Sequence, residues 1–309
     1  VVGYTKTDLN TWSSLTARVL YAAGIDGHDL VQIAFNYSQS TGGLGFHYGA
    51  EKLGASVIPV SGEEVIKQVR IMKDYRTSAL VSTPGYALHI ATVLEELGMN
   101  PEELNLRVGL FGAEPWSEKM RDQIESRLKI RAYDNYGLSE IIGPGVAFEC
   151  HERRGLHVSE DHFIVEVIDP ETLQVLPEGE EGELVFTTIT KQAFPLIRYR
   201  TGDISRIVPG VCPCGRNLRR IERLSPRIDD IIIIDGKNLF PSQIEALLFE
   251  IEGVEPHFQI ILDRQAGLGR IEIKVEMTPD FFAFDEVRRV EDFIEKIQRQ
   301  LTERFGLHA

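Results

Sequence analysis

The 309-residue chain carries only three cysteines, too few for a disulfide framework, which fits a reducing, cytoplasmic setting. No apolar run approaches the roughly 18 residues of a spanning helix, and no charged-then-apolar leader opens the chain. Positive charge is in short supply: 33 basic against 47 acidic residues leave a net charge of −14. That balance argues against nucleic acid or an anionic membrane as a partner. No GxxxxGK(S/T) stretch occurs, so phosphate is not held by a P-loop. Internal repeats and low-complexity tracts are absent too. What remains is a globular composition, 43% hydrophobic and 26% charged, too apolar for disorder. At about 150 residues per domain the length suggests two domains. The first residues, VVGYTK, lack an initiator Met, and the chain reads as a fragment of a longer protein.

The order of elements gives the fold class. Thr7 is placed to cap a helix with Leu9, Trp12, Leu15 and Val19 on one face. Leu30–Tyr37, Ala55–Val60, Ser78–Ser82, Leu106–Phe111 and Ile130–Tyr133 read as buried strands. Between them, Ser61 to Glu64 form a capping box, Pro84 opens a helix that stops at Gly98, and Ser117 caps another to about Leu128. Short apolar strands alternating with helices predict an α/β fold with a mainly parallel sheet. After about residue 150 the rhythm changes. Phe163–Ile168 and Glu183–Thr188 are strands of an antiparallel β subdomain. From about residue 228, Ile231–Ile234, a helix opened by Pro241, the strands His257–Leu262 and Arg270–Glu276, and a helix over Val287–Phe305 predict a small α+β C-terminal domain. The expected division is therefore 1–227 and 228–309.

Five stretches carry candidate chemistry. The cluster Thr41, Gly42, Gly43, Leu44, Gly45 fails the dinucleotide fingerprint, because Tyr48 stands at its last position, and it reads as a tight strand-to-helix turn. Phe111, Gly112, Ala113, Glu114 and Pro115 lie at the carboxyl end of a strand, where open α/β sheets bind ligands. Tyr136 to Glu140 brings together an aromatic face, a glycine, the Ser139 hydroxyl and the Glu140 carboxylate, suited to a base, an oxyanion and Mg²⁺. Asp203, beside Gly202, can accept two hydrogen bonds from a ribose diol. Pro226 to Gly236 falls at the predicted domain boundary. Each also has a bland reading as a turn, a cap or a linker.

In this order and spacing, the motifs resemble those of the adenylate-forming enzymes. YGLSEIIGPGVAFEC, EDHFIVEVIDPET, ELVFTTITKQAFPLIRYRTGD and DGKNLFPSQIE are similar to the phenylacetate–CoA ligases among them. The resemblance implies ATP-dependent activation of an aryl acid to an acyl-adenylate, followed by transfer to CoA. It implies that Gly112, Ala113, Glu114 and Pro115 form the adenine-side loop. Asp134, Tyr136, Asp203 and Arg227 would contact the nucleotide, with Asp203 on the ribose. Tyr136, Gly137, Gly143 and Pro144 would line the acid pocket. Ser139 would lie near the carboxylate or α-phosphate, and Glu140 would bind Mg²⁺. Asp229 matches a hinge, and Gly236 a loop used in thioester formation. ATP, AMP, Mg²⁺ and CoA are the implied ligands, with a homodimer as a candidate assembly. The family's phosphate loop is expected before Val1 and its C-terminal lysine after Ala309. Asp235 departs from many relatives. Related arylacetate, benzoate or indoleacetate ligases, and a non-catalytic nucleotide-binding relative, are the competing readings; a Rossmann dehydrogenase is disfavoured by the failed fingerprint.

The cysteines supply a separate expectation. Cys150 is followed by His151 and His157, and Cys212-Pro213-Cys214-Gly215 is a compact two-thiol turn. Cys150, His157, Cys212 and Cys214 make four N/S ligands for a structural zinc, with His151 as the alternative fourth.

Overall fold

The computed structural model describes residues 2–37, 41–61, 64–224, 232–234, 237–239, 241–251, 253–263, 270–277, 286–305 and 307. The chain divides into two compact units, Val1–Trp116 with Met120–Ser225, and Ser117–Lys119 with Pro226–Ala309.

The first unit is an α/β structure. Its helices are α1 (Lys6–Ala22), α2 (Thr41–Leu53), α3 (Val65–Tyr75), α4 (Pro84–Glu96) and α5 (Glu118–Leu128). Its strands are β1 (Leu30–Ile33), β2 (Ser56–Pro59), β3 (Ala79–Ser82), β4 (Val108–Phe111), β5 (Arg131–Leu138), β6 (Gly143–Phe148), β7 (Leu156–Val158), β8 (Phe163–Ile168), β9 (Gly182–Thr188), β10 (Tyr199–Ser205), β11 (Ile207–Val208) and β12 (Arg220–Ile221). Nine of them form one sheet in the order β11-β12-β7-β6-β5-β4-β3-β1-β2, and β10-β9-β8 form a second. From β2 to β5 neighbouring strands are parallel; β5 then pairs antiparallel with β6. β5 is thus the seam between the parallel half and the antiparallel half. The parallel strands β3 and β4 are buried along their whole length, as continuous apolar runs require when helices cover both faces.

Several local expectations shift. Helix α1 is capped by Thr5, not Thr7: the Thr5 hydroxyl accepts from Asp8 N–H while the Asp8 carboxylate accepts from Thr5 N–H. Asp8 is the only carboxylate at the right spacing to close that box. The strand begun at Leu30 ends at Ile33, well short of Tyr37. Ser61 does not cap α3. Glu64 is the N-cap, without a side-chain cap bond, and Ser61 sits at φ +62° with its carbonyl accepting from Gln68. Most informatively, Thr41 to Gly45 lie inside α2 and not in a turn. The glycines are there for packing. A Cβ on Gly45 would stand 2.5 Å from the Trp12 ring, and one on Gly49 2.8 Å from the backbone N of Ala17, so bare backbone lets α2 lie directly against α1. We expect Gly49→Ala to lower stability by about 1–3 kcal/mol, read as a reduced urea midpoint at unchanged m-value.

The second unit contains the hairpins β13 (Ile232–Ile234) with β14 (Lys237–Leu239) and β15 (Val254–Asp263) with β16 (Arg270–Met277), plus α6 (Pro241–Leu248) and α7 (Glu286–Phe305). Its core joins Ile244, Leu247 and Leu248 to Ile271, Phe293, Ile297 and Leu301. The apolar residues Phe293, Ile297 and Leu301 recur at helical spacing along one face of α7.

Candidate active site

The carboxyl ends of β4 and β5 meet without room for a side chain between them. A Cβ on Gly112 would lie 2.6 Å from the Asn135 carbonyl, while Asn135 Nδ2 donates to the Phe111 carbonyl at 2.6 Å. The chain then turns outward through Ala113, held at φ +68°, and Ala113, Glu114 and Pro115 are exposed. Glu114 accepts from Gly85 N–H and the Thr83 hydroxyl at the first turn of α4, but burial outweighs both bonds and raises its pKa.

Tyr136 and Asp203 are brought together. The Tyr136 hydroxyl donates to Asp203 Oδ2 at 2.6 Å, both residues being buried, and the Tyr136 ring lies 6.0 Å from that of Phe186. Asp203 reaches the pair through a bulge. The β9–β10 register shifts between Arg200 and Ile204, Gly202 takes φ +74°, and Glu183 accepts from Gly202 N–H at 3.1 Å. A bulge of this kind re-aims one side chain.

Beyond Tyr136, β5 continues as strand where the sequence suggested a loop. Gly137 is obligatory, because a Cβ there would fall on the Gly143 carbonyl; Gly143 itself takes φ +88°. The Pro144 carbonyl accepts from Trp12 Nε1 at 3.0 Å. Ser139 and Glu140 are exposed in the turn that follows. The Ser139 hydroxyl is 3.1 Å from that of Thr41, so α2 reaches the site through its first residue. Arg227 and Asp229, and with them Asp235 and Gly236, lie outside the described residues.

Sequence reasoning missed Lys191. Its ammonium donates to the carbonyls of Glu140 (3.2 Å) and Ile141 (2.6 Å) and lies 4.8 Å from the centre of the Tyr4 ring. Burial pulls its pKa down, with Asp8 and Glu140 opposing. A lone lysine in TTITKQAFP carries no signal of this contact; only the fold brings it to Glu140. Its loop is anchored by Asp8, whose carboxylate also accepts from Gln192 N–H (2.7 Å) and Ala193 N–H (2.9 Å). Burial works against that charge, but the N–H groups of Gln192, Thr5 and Ala193 outweigh it and hold the carboxyl below its ordinary value of 3.8. A depressed carboxylate pKa gives stability that is present above the unfolded value and lost as pH falls through the folded one. We therefore expect Asp8→Asn to cost about 1–3 kcal/mol at neutral pH, with the difference from the parent shrinking below about pH 4 in paired denaturation curves.

Behind the outward loop lies a buried charge network. Arg121 is bidentate to Glu149 (2.9 and 2.8 Å) and donates to the Ala132 carbonyl, and Asp134 N–H donates to Glu149 Oε2 at 2.8 Å. Arg223 Nε donates to Asp134 Oδ2 at 3.0 Å, and its Nη2 to the Trp116 carbonyl at 2.7 Å. Both guanidiniums contact the Trp116 ring, at 4.9 Å (Arg121) and 4.4 Å (Arg223) from its centre. Burial pushes Asp134 up to about 6; Arg223 pulls it down and Glu149 pushes it up. Asp134 is thus engaged by Arg223 beneath the strand end.

The thiols also converge. Ligand atoms of Cys150, His157, Cys212 and Cys214 all lie within 4.8 Å of one another. Cys150 Sγ is 3.8 Å from Cys212 Sγ, and Cys214 Sγ is 3.4 Å from His157 Nε2. His157 is fully buried and belongs to this cluster, whereas His151 is exposed and lies 3.3 Å from Glu152.

The parallel half of the main sheet thus meets its antiparallel half at β5, where Tyr136 is bonded to Asp203 of β10. Residues 9–190 match the model of the AMP-binding enzymes and residues 236–309 that of the AMP-binding enzyme C-terminal domain, and the chain belongs to the AMP-binding enzyme family. Within it, the chain is 44% identical to the phenylacetate-coenzyme A ligase of Thermus thermophilus, over 99% of this chain and 72% of that protein. It is 47% identical to the ligase of the same name from Pseudomonas putida, over 94% of this chain and 65% of that one. The chain spans about two thirds of the length of the curated relatives it matches, from 63% to 72%. Among solved structures, 2-hydroxyisobutyryl-CoA ligase in complex with 2-HIB-AMP in the postadenylation state is 27% identical with a TM-score of 0.92, covering 100% of this chain and 66% of that one. Anthranilate CoA ligase in complex with anthranoyl-AMP shares the fold at a TM-score of 0.71 and 15% identity, over 97% of this chain and 58% of that one. Among the described residues, no helix is long and apolar enough to cross a membrane.

Proposed function

We propose that the protein to which this chain belongs activates an aryl acid, phenylacetate before others, with ATP, and passes the acyl group from its adenylate to CoA. Acyl-adenylate and pyrophosphate form first; the CoA thiol then displaces AMP to give the thioester. The observation that carries this reading is the buried Tyr136–Asp203 pair beside the Gly112 loop, in a chain 43–47% identical to four phenylacetate-coenzyme A ligases.

Each residue then has a physical task. Asp203 is a buried acceptor already engaged with one hydroxyl, so a ribose diol would meet a carboxylate held in place by the β10 bulge. Gly112, Ala113, Glu114 and Pro115 give a bare edge for adenine, and the Tyr136 ring separates that edge from the acid pocket by Gly137, Gly143 and Pro144. The exposed Glu140 is free of the buried network and suited to Mg²⁺, which neutralises phosphate charge when bound. Ser139 offers its hydroxyl to the reacting carboxylate or phosphate. Lys191 fixes the backbone just after Glu140, through the carbonyls of Glu140 and Ile141. Arg227 would add a cation to the nucleotide, Asp229 would serve as the hinge, and 1–227 and 228–309 would act as separate domains. The Cys150, His157, Cys212 and Cys214 cluster is assigned to structural zinc, outside the chemistry.

The test is pyrophosphate release by the full-length protein against a panel of phenylacetate, benzoate, anthranilate and indoleacetate, with and without CoA. Phenylacetate should give the highest kcat/KM, with thioester appearing only when CoA is present. Tight AMP binding without pyrophosphate release from any acid would replace the enzyme with a nucleotide-binding relative.

A further inference from the structure

The four metal-ligand candidates come from three separate stretches of chain. Cys150 is two residues past β6, His157 lies in β7, and Cys212 and Cys214 lie in the loop between β11 and β12. Their spacing can be checked against coordination geometry without any metal in view. A tetrahedral zinc with Zn–S of about 2.3 Å sets two thiolates about 3.8 Å apart, and a thiolate about 3.5 Å from an imidazole nitrogen. The observed separations are 3.8 Å and 3.4 Å. A disulfide places its sulfurs about 2.05 Å apart, so Cys150 and Cys212 are free thiols at 3.8 Å. Three of the four residues are buried, Gly215 at φ +83° closes the two-thiol turn, and an S₃N set favours zinc over hard cations.

The position of the cluster gives it a purpose. Cys150 follows Glu149, the carboxylate that receives Arg121 and the Asp134 amide. From Cys214 the chain runs through β12 to Arg223, which holds Asp134 and Trp116. β12 is also tied back, since Arg220 donates to the Arg154 carbonyl at 2.6 Å and the Gly210 carbonyl at 3.0 Å. We propose that Cys150, His157, Cys212 and Cys214 form a closed four-coordinate zinc clamp that locks the β11–β12 loop onto β6 and β7 and thereby fixes Glu149 and Arg223 beneath β5. All four positions are filled by protein, so the ion takes no substrate. This deepens the proposed function, since the clamp steadies the strand that presents Tyr136; it rests on that reading only for its use, not for its existence.

The experiment uses the full-length protein purified without added metal. Elemental analysis should find about one zinc per chain, and cobalt substitution should give the absorption of a tetrahedral thiolate site. Hydrogen exchange is then compared before and after chelation. The β5 segment, including the Asp134 amide, should exchange at least about tenfold faster, while α3 and α4 keep their protection. His157→Cys should retain zinc and slow exchange, and His157→Ala should lose both. Zinc below about a fifth of stoichiometry, or iron in its place, overturns the site. Full zinc with β5 exchange unchanged by chelation, or exchange rising equally across α3 and α4, overturns the link to the strand. None of these readouts needs turnover, so a protein that passes them and releases no pyrophosphate removes the proposed function and leaves the clamp standing.

Discussion

Glu140→Gln in the full-length protein is expected to cut pyrophosphate release by about a hundredfold or more while the fold survives. The turn that carries Glu140 is exposed, and its backbone is held by Lys191 through carbonyls that the substitution leaves untouched. Removing the charge leaves those hydrogen bonds in place and takes away its electrostatic pull on the Lys191 ammonium. A lost carboxylate at a metal-assisted phosphoryl site removes about 3 kcal/mol or more of transition-state stabilisation, and each 1.36 kcal/mol is tenfold in rate. Single-turnover pyrophosphate release at saturating ATP, with thermal unfolding as control, is the measurement. A rate within about threefold of the parent takes Glu140 out of the reaction.

Arg121→Met carries the largest expected loss of stability, about 3–5 kcal/mol. Both members of the Arg121–Glu149 pair are almost fully enclosed, with side-chain exposures of 3% and 0%. Taking away the guanidinium leaves a buried carboxylate whose remaining donor is the Asp134 amide. It also removes a donor from the Ala132 carbonyl. Arg121→Met with Glu149→Leu should recover part of that loss, since a buried ion pair replaced on both sides is far less damaging than one that is halved. Full recovery is not expected, because the Asp134 amide then has no acceptor. Urea denaturation of the two single variants and the double variant gives the coupling directly; a double variant no more stable than Arg121→Met would place the damage elsewhere.

The parallel half of the sheet was legible because its strands are short apolar runs separated by amphipathic helices, a pattern that period alone reveals. The thiol cluster was legible by count: three cysteines, with His151 and His157 close after the first, leave few combinations. Other features needed the folded chain. The glycines of α2 looked like a turn because a helix gains nothing locally from glycine; their reason lies in Trp12 and Thr16 on another helix. Lys191 and Glu140 are far apart in sequence and meet only because the loop after β9 folds back over the turn after β5. Thr5 displaced Thr7 as a cap because the reciprocal bond with Asp8 satisfies two backbone groups, a preference that apolar spacing does not register.

The change of strand sense at β5 has a consequence for how such a chain can vary in length. β5 is gripped on both flanks, by parallel partners on one side and antiparallel ones on the other, and its side chains alternate between two committed surroundings. Adding or deleting one residue within Arg131–Leu138 would exchange those surroundings for every position downstream and would have to be absorbed by both halves of the sheet together. Gly137 apart, a substitution there leaves the register in place; a change of length does not. The mostly exposed connection between β8 and β9, residues 170–181, is where a length change would disturb least of what β5 presents.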